Sequence, residues 1–237
     1  MQAERPYPDA RTTVSLAPVG LMLVAISGLA IIALLHHPIA HGSDGAAVIS
    51  SMRGQAVMDR IVHGGLALIY GLMTVGLFTF ASRLGSWRFQ VLLGLVSYSC
   101  ALILILLAVV TDGFIAPAIA ERCAPSSAMC TSQALVMLTF GAMQIEYLTR
   151  FAFVAIAIAI SGWSLALLST AEAPRWSGVA GLVVGISQFA ALILSPGRLT
   201  PHTLILVMAG QLAWSLIVAT LMITGRRPFG AAPDELR

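Results

Sequence analysis

Asp59 and His63 stand four positions apart, the spacing that puts two side chains on one face of an α-helix. A carboxylate so placed can share a metal with the imidazole, or hold its second nitrogen. Gly64 and Gly65 follow at once and remove bulk, as close approach of a cofactor or a neighbouring helix requires. Glu146 and Arg150 repeat the four-residue spacing and read as an intrahelical salt bridge.

Three further groups could join this chemistry. They are His37 in the run His36-His37-Pro38, Asp112, and His202 after Pro201. Neutral imidazole with carboxylate suits zinc, manganese, non-haem iron or copper(II). His63, His37, His202, Asp59, Asp112 and Glu146 are the candidate ligands. No HExxH or similar run is present, so such a site has to assemble from separate helices. The same histidines could hold a b-type haem, His63 pairing with His37 or His202. Arg60 or Arg150 would then meet a propionate or another anion. No CxxCH occurs, which excludes covalently attached haem. Cys123 and Cys130 flank a turn-forming Ala-Pro-Ser-Ser stretch and are expected to form a disulfide in an oxidising compartment. Cys100 reads as a small apolar residue. No Ser-His-Asp or Cys-His constellation is assignable from spacing, so enzyme or not stays open at this point.

The elements that must position these residues follow from composition. The chain has 237 residues, 58% hydrophobic and only 10% charged. Its mean hydropathy is +0.92. Soluble domains are about a quarter charged, so the bilayer has to act as solvent for most of this chain. All 13 basic residues are arginine, and Lys and Asn are absent, the habit of a GC-rich bacterial genome. No basic run with interleaved aromatics exists, which argues against nucleic acid as a partner.

A spanning helix needs about 20 apolar residues. Six stretches qualify, at about 14–35, 56–80, 89–111, 134–168, 178–194 and 202–224. The expected fold is therefore all-α, a six-helix transmembrane bundle over 14–224. Loops are expected at about 36–55, 112–145 and 195–201, with polar tails 1–13 and 225–237. The fourth stretch exceeds one span. Its first part, Ser132 to Met143, is expected to form a separate amphipathic helix outside the hydrocarbon, the alternative being one long projecting helix.

Arginine sets the orientation. With the N-terminus inside, Arg5, Arg11, Arg83, Arg88, Arg175, Arg226, Arg227 and Arg237 are cytoplasmic, against Arg53, Arg122 and Arg198 outside. Both termini are thus expected in the cytoplasm of a bacterial inner membrane. Under that topology every histidine lies toward the periplasmic side, with Asp59, Asp112, Glu146, Arg60 and Arg150. Ionisable groups in membrane segments are costly and usually face a wet cavity.

The expectation is a periplasm-facing polar cavity that binds a metal ion or haem for redox or lipid- and quinone-linked chemistry. A small-solute transporter using the same cavity, or a non-catalytic subunit of a membrane complex, are the alternatives. Partners would be the bilayer, a second copy or a larger membrane complex. The GxxxG spacing of Gly181 and Gly185 reads most simply as packing within the chain.

Overall fold

The apolar runs fold as helices throughout. The structure, a computed structural model, describes residues 16–35, 41–123, 127–171, 173–194, 199 and 201–224. Side chains of 33–35 and 201–202 lie outside that description. Among the described residues there is no strand. The helices are α1 (Ala17–Leu35), α2 (Gly45–Arg83), α3 (Phe89–Val110), α4 (Ala116–Arg122), α5 (Ala128–Leu168), α6 (Arg175–Leu194) and α7 (Pro201–Ile223). A π-helical turn, Thr111–Ile115, joins α3 to α4 without a break. Five helices are long and apolar enough to cross a membrane, and α1 is a shorter apolar one. The chain is a multi-pass helical membrane bundle.

Local chemistry sets the ends. Asp44 caps α2 by accepting from the Ala47 N–H at 2.9 Å. Ser127 caps α5 by accepting from the Cys130 N–H at 3.2 Å. Gly85, at φ +96°, turns the chain between α2 and α3 in a conformation that favours glycine. Pro201 opens α7, where its missing N–H costs nothing.

The π turn has a local cause. Pro117 has no N–H, and its ring would strike the Gly113 carbonyl of a regular helix. The ladder widens just before it, and the Ala116 N–H bonds to the Thr111 carbonyl five residues back.

Three connections are more helical than the sequence suggests. Helix α2 starts at Gly45 instead of about 56, and α3 continues through the π turn to Arg122. The fourth apolar stretch is one uninterrupted helix of 41 residues. The separate amphipathic helix over 132–143 does not form, because no glycine–proline break or cap interrupts the run.

Helix lengths then divide the bundle into two parts. Helices α1, α6 and α7 have 19, 20 and 23 residues, about 29–35 Å at 1.5 Å per residue. Helix α2, the α3–α4 rod and α5 have 39, 34 and 41 residues, about 50–60 Å. Contacts fix the register. On α6, Gly178 meets Leu168 and Ser164, Gly185 meets Ser161 and Ala157, and Arg150 reaches the Leu192 carbonyl. The short α6 therefore covers α5 only from about 150 to 168. About the first six turns of α5 extend past it, beside the start of α2 and α4.

The apolar part packs around Trp163 and Trp214, both essentially fully buried. A Cβ on Gly94 would strike the Trp163 indole, and one on Gly181 would strike Trp214. Phe80 meets Trp214 edge-on at 6.3 Å between ring centres. The overhang has a smaller core of Ile49, Ala120, Cys123 and Ala134.

Candidate functional site

His63 lies where the long helices leave the short ones behind, and it is 2% exposed. Its Nδ1 is 2.8 Å from the Asp59 backbone carbonyl, one turn back on α2. Its Nε2 is 3.1 Å from Oδ2 of Asp112, on the π turn. The π turn comes this close because Gly113 has no side chain: a Cβ there would collide with the His63 Cβ. Pro117, the π turn, Gly113 and the His63–Asp112 contact form one causal chain.

Proton positions follow from the partners. A carbonyl oxygen only accepts, so His63 Nδ1 carries a hydrogen and donates it to Asp59 O. Nε2 then has two options. It donates to an ionised Asp112, or it accepts from a protonated one. In both cases a single proton lies between Nε2 and Oδ2. Asp112 is about a third exposed, at 37% for its side chain, so this shared proton borders the surface.

One flank of this pair is open. Gly64 has only the Phe114 ring near where a side chain would be, at 3.8 Å, and Gly65 has nothing within 4 Å. Ile61, Phe114 and Ile115 are exposed around this notch.

The structure redistributes the other expected site residues. Asp59 holds His63 through its main-chain carbonyl, since in a helix the carbonyl of residue i lies over residue i+4. Asp112 supplies the carboxylate in contact with Nε2. Glu146 and Arg150 do form the expected i,i+4 pair, at 3.8 Å. They also tie down the α6–α7 connection. Glu146 Oε1 accepts from the Leu199 N–H at 3.1 Å, and Arg150 Nη1 donates to the Leu192 carbonyl at 3.5 Å. Arg60, expected to meet an anion, pairs with Glu121 at 2.5 Å. His41 is exposed. His37, and the side chain of His202, lie outside the described residues.

Among the described residues no three His, Cys, Asp or Glu side chains converge as metal ligands would. For haem, the Nε2 that an axial ligand uses is engaged by Asp112.

Cys123 and Cys130, expected as a disulfide, stand here as two free thiols hydrogen-bonded to one another. That hydrogen bond, with burial, pushes the Cys123 thiol above its ordinary range. A cavity of about 370 Å³ opens beside them, lined by Asp44, Ser50, Arg53, Cys123 and Thr131.

Glu121 and Arg53 carry weight that their sequence positions do not announce. Arg53 Nη2 donates to the carbonyls of Ala120 (3.0 Å) and Cys123, closing the end of α4. Their partners are about 60 to 70 residues distant in sequence, and no local spacing signals them. Only continuing α3 as a helix through Thr111 and Pro117 would have raised Glu121 beside Arg60.

Comparison with known protein families, curated proteins and solved structures finds no match.

Proposed function

We propose that this membrane protein works through an acid–base site at the lipid–water boundary, the His63–Asp112 pair, acting on a membrane-soluble molecule of the lipid or quinone class. The observation that carries this reading is the 3.1 Å contact of His63 Nε2 with Asp112 Oδ2, with Nδ1 held by a carbonyl. The glycine notch beside it supports approach from the bilayer. No Asp, Glu, His, Lys or Arg occurs in 64–82, 89–111, 151–168 or 203–223. That favours a site served from one face over a proton path across the membrane.

The test uses the full chain in nanodiscs with uniformly ¹⁵N-labelled histidine. One imidazole is expected to keep its Nδ1 proton across the accessible pH range while Nε2 titrates. That signal should vanish in His63→Gln and lose its coupling in Asp112→Asn. A photoreactive quinone or lipid should label the notch, and Gly65→Leu should block the labelling. Labelling that survives Gly65→Leu sinks the membrane-substrate part. An Nε2 that never titrates sinks the acid–base part.

A metal ion is the second reading, and one feature favours it. A carbonyl on Nδ1 is the usual support for a histidine that ligates through Nε2. Nε2 and Oδ2 at 3.1 Å can share a metal at bonds of about 2.0–2.2 Å. The remaining ligands would be the expected His37 and His202. Stoichiometric metal in chelator-free protein, lost in His63→Ala, would replace the proton with a metal. A Soret band would establish haem in its place.

A further inference from the structure

Cys123 follows the last residue of α4, and Cys130 lies in the first turn of α5. The fold sets their thiols against one another. Both backbones are held. Arg53 Nη2, on α2, donates to the Cys123 carbonyl, and the Cys130 N–H donates to the Ser127 cap. Two thiols in hydrogen-bond contact have little distance to close before they join.

The pair also borders a space that can hold a molecule. The cavity of about 370 Å³ lies in the range of small-molecule sites, roughly 300–1,000 Å³. Its wall includes Cys123 and Thr131 but not Cys130. The cavity and the Cys130 thiol therefore approach Cys123 from different sides. The wall carries both signs of charge, from Asp44 and Arg53. One oxygen of Asp44 is spent on the α2 cap, and the other is left over. Arg53 Nε is buried with no hydrogen-bond partner among the described residues.

We propose that Cys123 and Cys130 form a thiol–disulfide exchange site for a small amino-acid disulfide of the cystine type, bound in this cavity. Such a molecule has a carboxylate and an ammonium on each side of its S–S bond, which match Arg53 and Asp44. Cys123 loses its proton to water, and its sulfur attacks the nearer sulfur of the substrate. A mixed disulfide forms, and the first half leaves as a thiolate that takes up a proton. Cys130 then loses its proton and attacks the Cys123 sulfur from the side away from the cavity, expelling the second half as a thiol. Exchange at sulfur runs in line, which this placement meets. One substrate disulfide is reduced to two thiols, and the protein dithiol is oxidised to a disulfide. Excess small thiol runs the exchange backwards. The Cys130 hydrogen bond and burial favour the Cys123 thiol, while Thr131 and Arg53 favour the thiolate that reacts. The site is separate from the His63–Asp112 pair, since Arg53 stands about 15 Å from His63 along α2.

The experiment uses the reduced full-length chain in nanodiscs, with cystine as the probe and alkylation mass counting the free thiols. Cystine should take the count from three to one, Cys100 on α3 being the survivor, and release two cysteines per chain. Cys130→Ser should stop half-way, with one cysteine released and the other bound to Cys123. Cys123→Ser should form no comparable adduct. Cystamine, which lacks the carboxylates, should react about tenfold more slowly than cystine, each rate taken relative to that with free thiol in solution. Asp44→Asn keeps the α2 cap and should slow cystine without slowing the uncharged hydroxyethyl disulfide. A bridge that excess cysteine cannot reopen is purely structural and overturns the inference. So do equal relative rates for cystine, cystamine and hydroxyethyl disulfide, or an adduct that forms on Cys130 at the wild-type rate in Cys123→Ser.

Discussion

The two parts of the bundle are held together by different physics. Around Trp163 and Trp214 shape dominates, with Gln188 Nε2 donating to the Val207 carbonyl at 2.9 Å as a directed contact between α6 and α7. Gly94 and Gly181 leave room that the two indoles fill, and both indole N–H groups lack a partner among the described residues. At the other end, α2, α4 and α5 share a thin core of Ile49, Ala120, Cys123 and Ala134. There Arg53 closes α4, Arg60 meets Glu121, and the Glu146–Arg150 pair holds the α6–α7 connection. In lipid, helices gain little from hiding apolar surface, so close packing must do the holding. The small core shared by α2, α4 and α5 buries little, and directed polar contacts complete it.

The largest effect should come from the packed part. Trp163→Ala empties the seat formed by Gly94 and removes the ring packed at 5.7 Å from Tyr98. Truncating a buried Trp costs about 3–5 kcal/mol in soluble proteins. The lower end, about 3 kcal/mol, is expected here, since the unfolded chain in lipid also keeps its indole out of water. Reversible unfolding in mixed micelles measures it. A loss below about 1 kcal/mol, the size of a surface change, would mean that shape is not what holds this half.

That contrast was only half legible in the sequence. The six apolar runs set out the membrane part, because hydrocarbon imposes its length on every span. The overhang was hidden because its apolar faces continue those runs. From Ala134 to Leu168 only Glu146 and Arg150 break the apolar run, and register against α6 divides the helix near the same place. Asp112 was visible as a candidate, and so was His63. Their contact was not, since it depends on a π turn set by Pro117 and on the missing side chain of Gly113. Arg53 and Glu121 acquire partners only once α4 stands beside α2. Asp59 was visible by its carboxylate, and the helix adds a hydrogen bond from His63 to its carbonyl that side-chain spacing does not announce.

An intermediate and local effect is expected from Arg53→Ala. Two carbonyls at the end of α4 lose their donor, and a cost of about 1 kcal/mol follows from hydrogen-bond loss. It should appear in one place. Hydrogen exchange should rise across Ala116–Arg122 and the first turns of α2, while α6 and α7 keep their protection. Equal loss of protection in α6 would show that the two parts unfold as one unit, against the division drawn here.

The smallest effect tests how the overhang's polar contacts divide their work. Arg60 and Glu121 make the shortest ion pair described, yet their side chains are 36% and 39% exposed. Water and salt screen such pairs, and holding two long side chains offsets much of the attraction. Arg60→Gln should therefore leave the unfolding midpoint unchanged within error at 0.5 M salt, and lower it only slightly in dilute buffer. The charge swap, Arg60→Glu with Glu121→Arg, should restore the dilute-buffer value only in part, since Arg53 also acts on the charge at position 121. A large, salt-independent loss in Arg60→Gln would place this pair in the same class as Arg53, holding the backbone of α4 and not merely decorating its surface. The distinction turns on exposure. Arg53 donates to carbonyls at a partly buried helix end, where the acceptors have few other donors, whereas Glu121 has water as a ready substitute for Arg60.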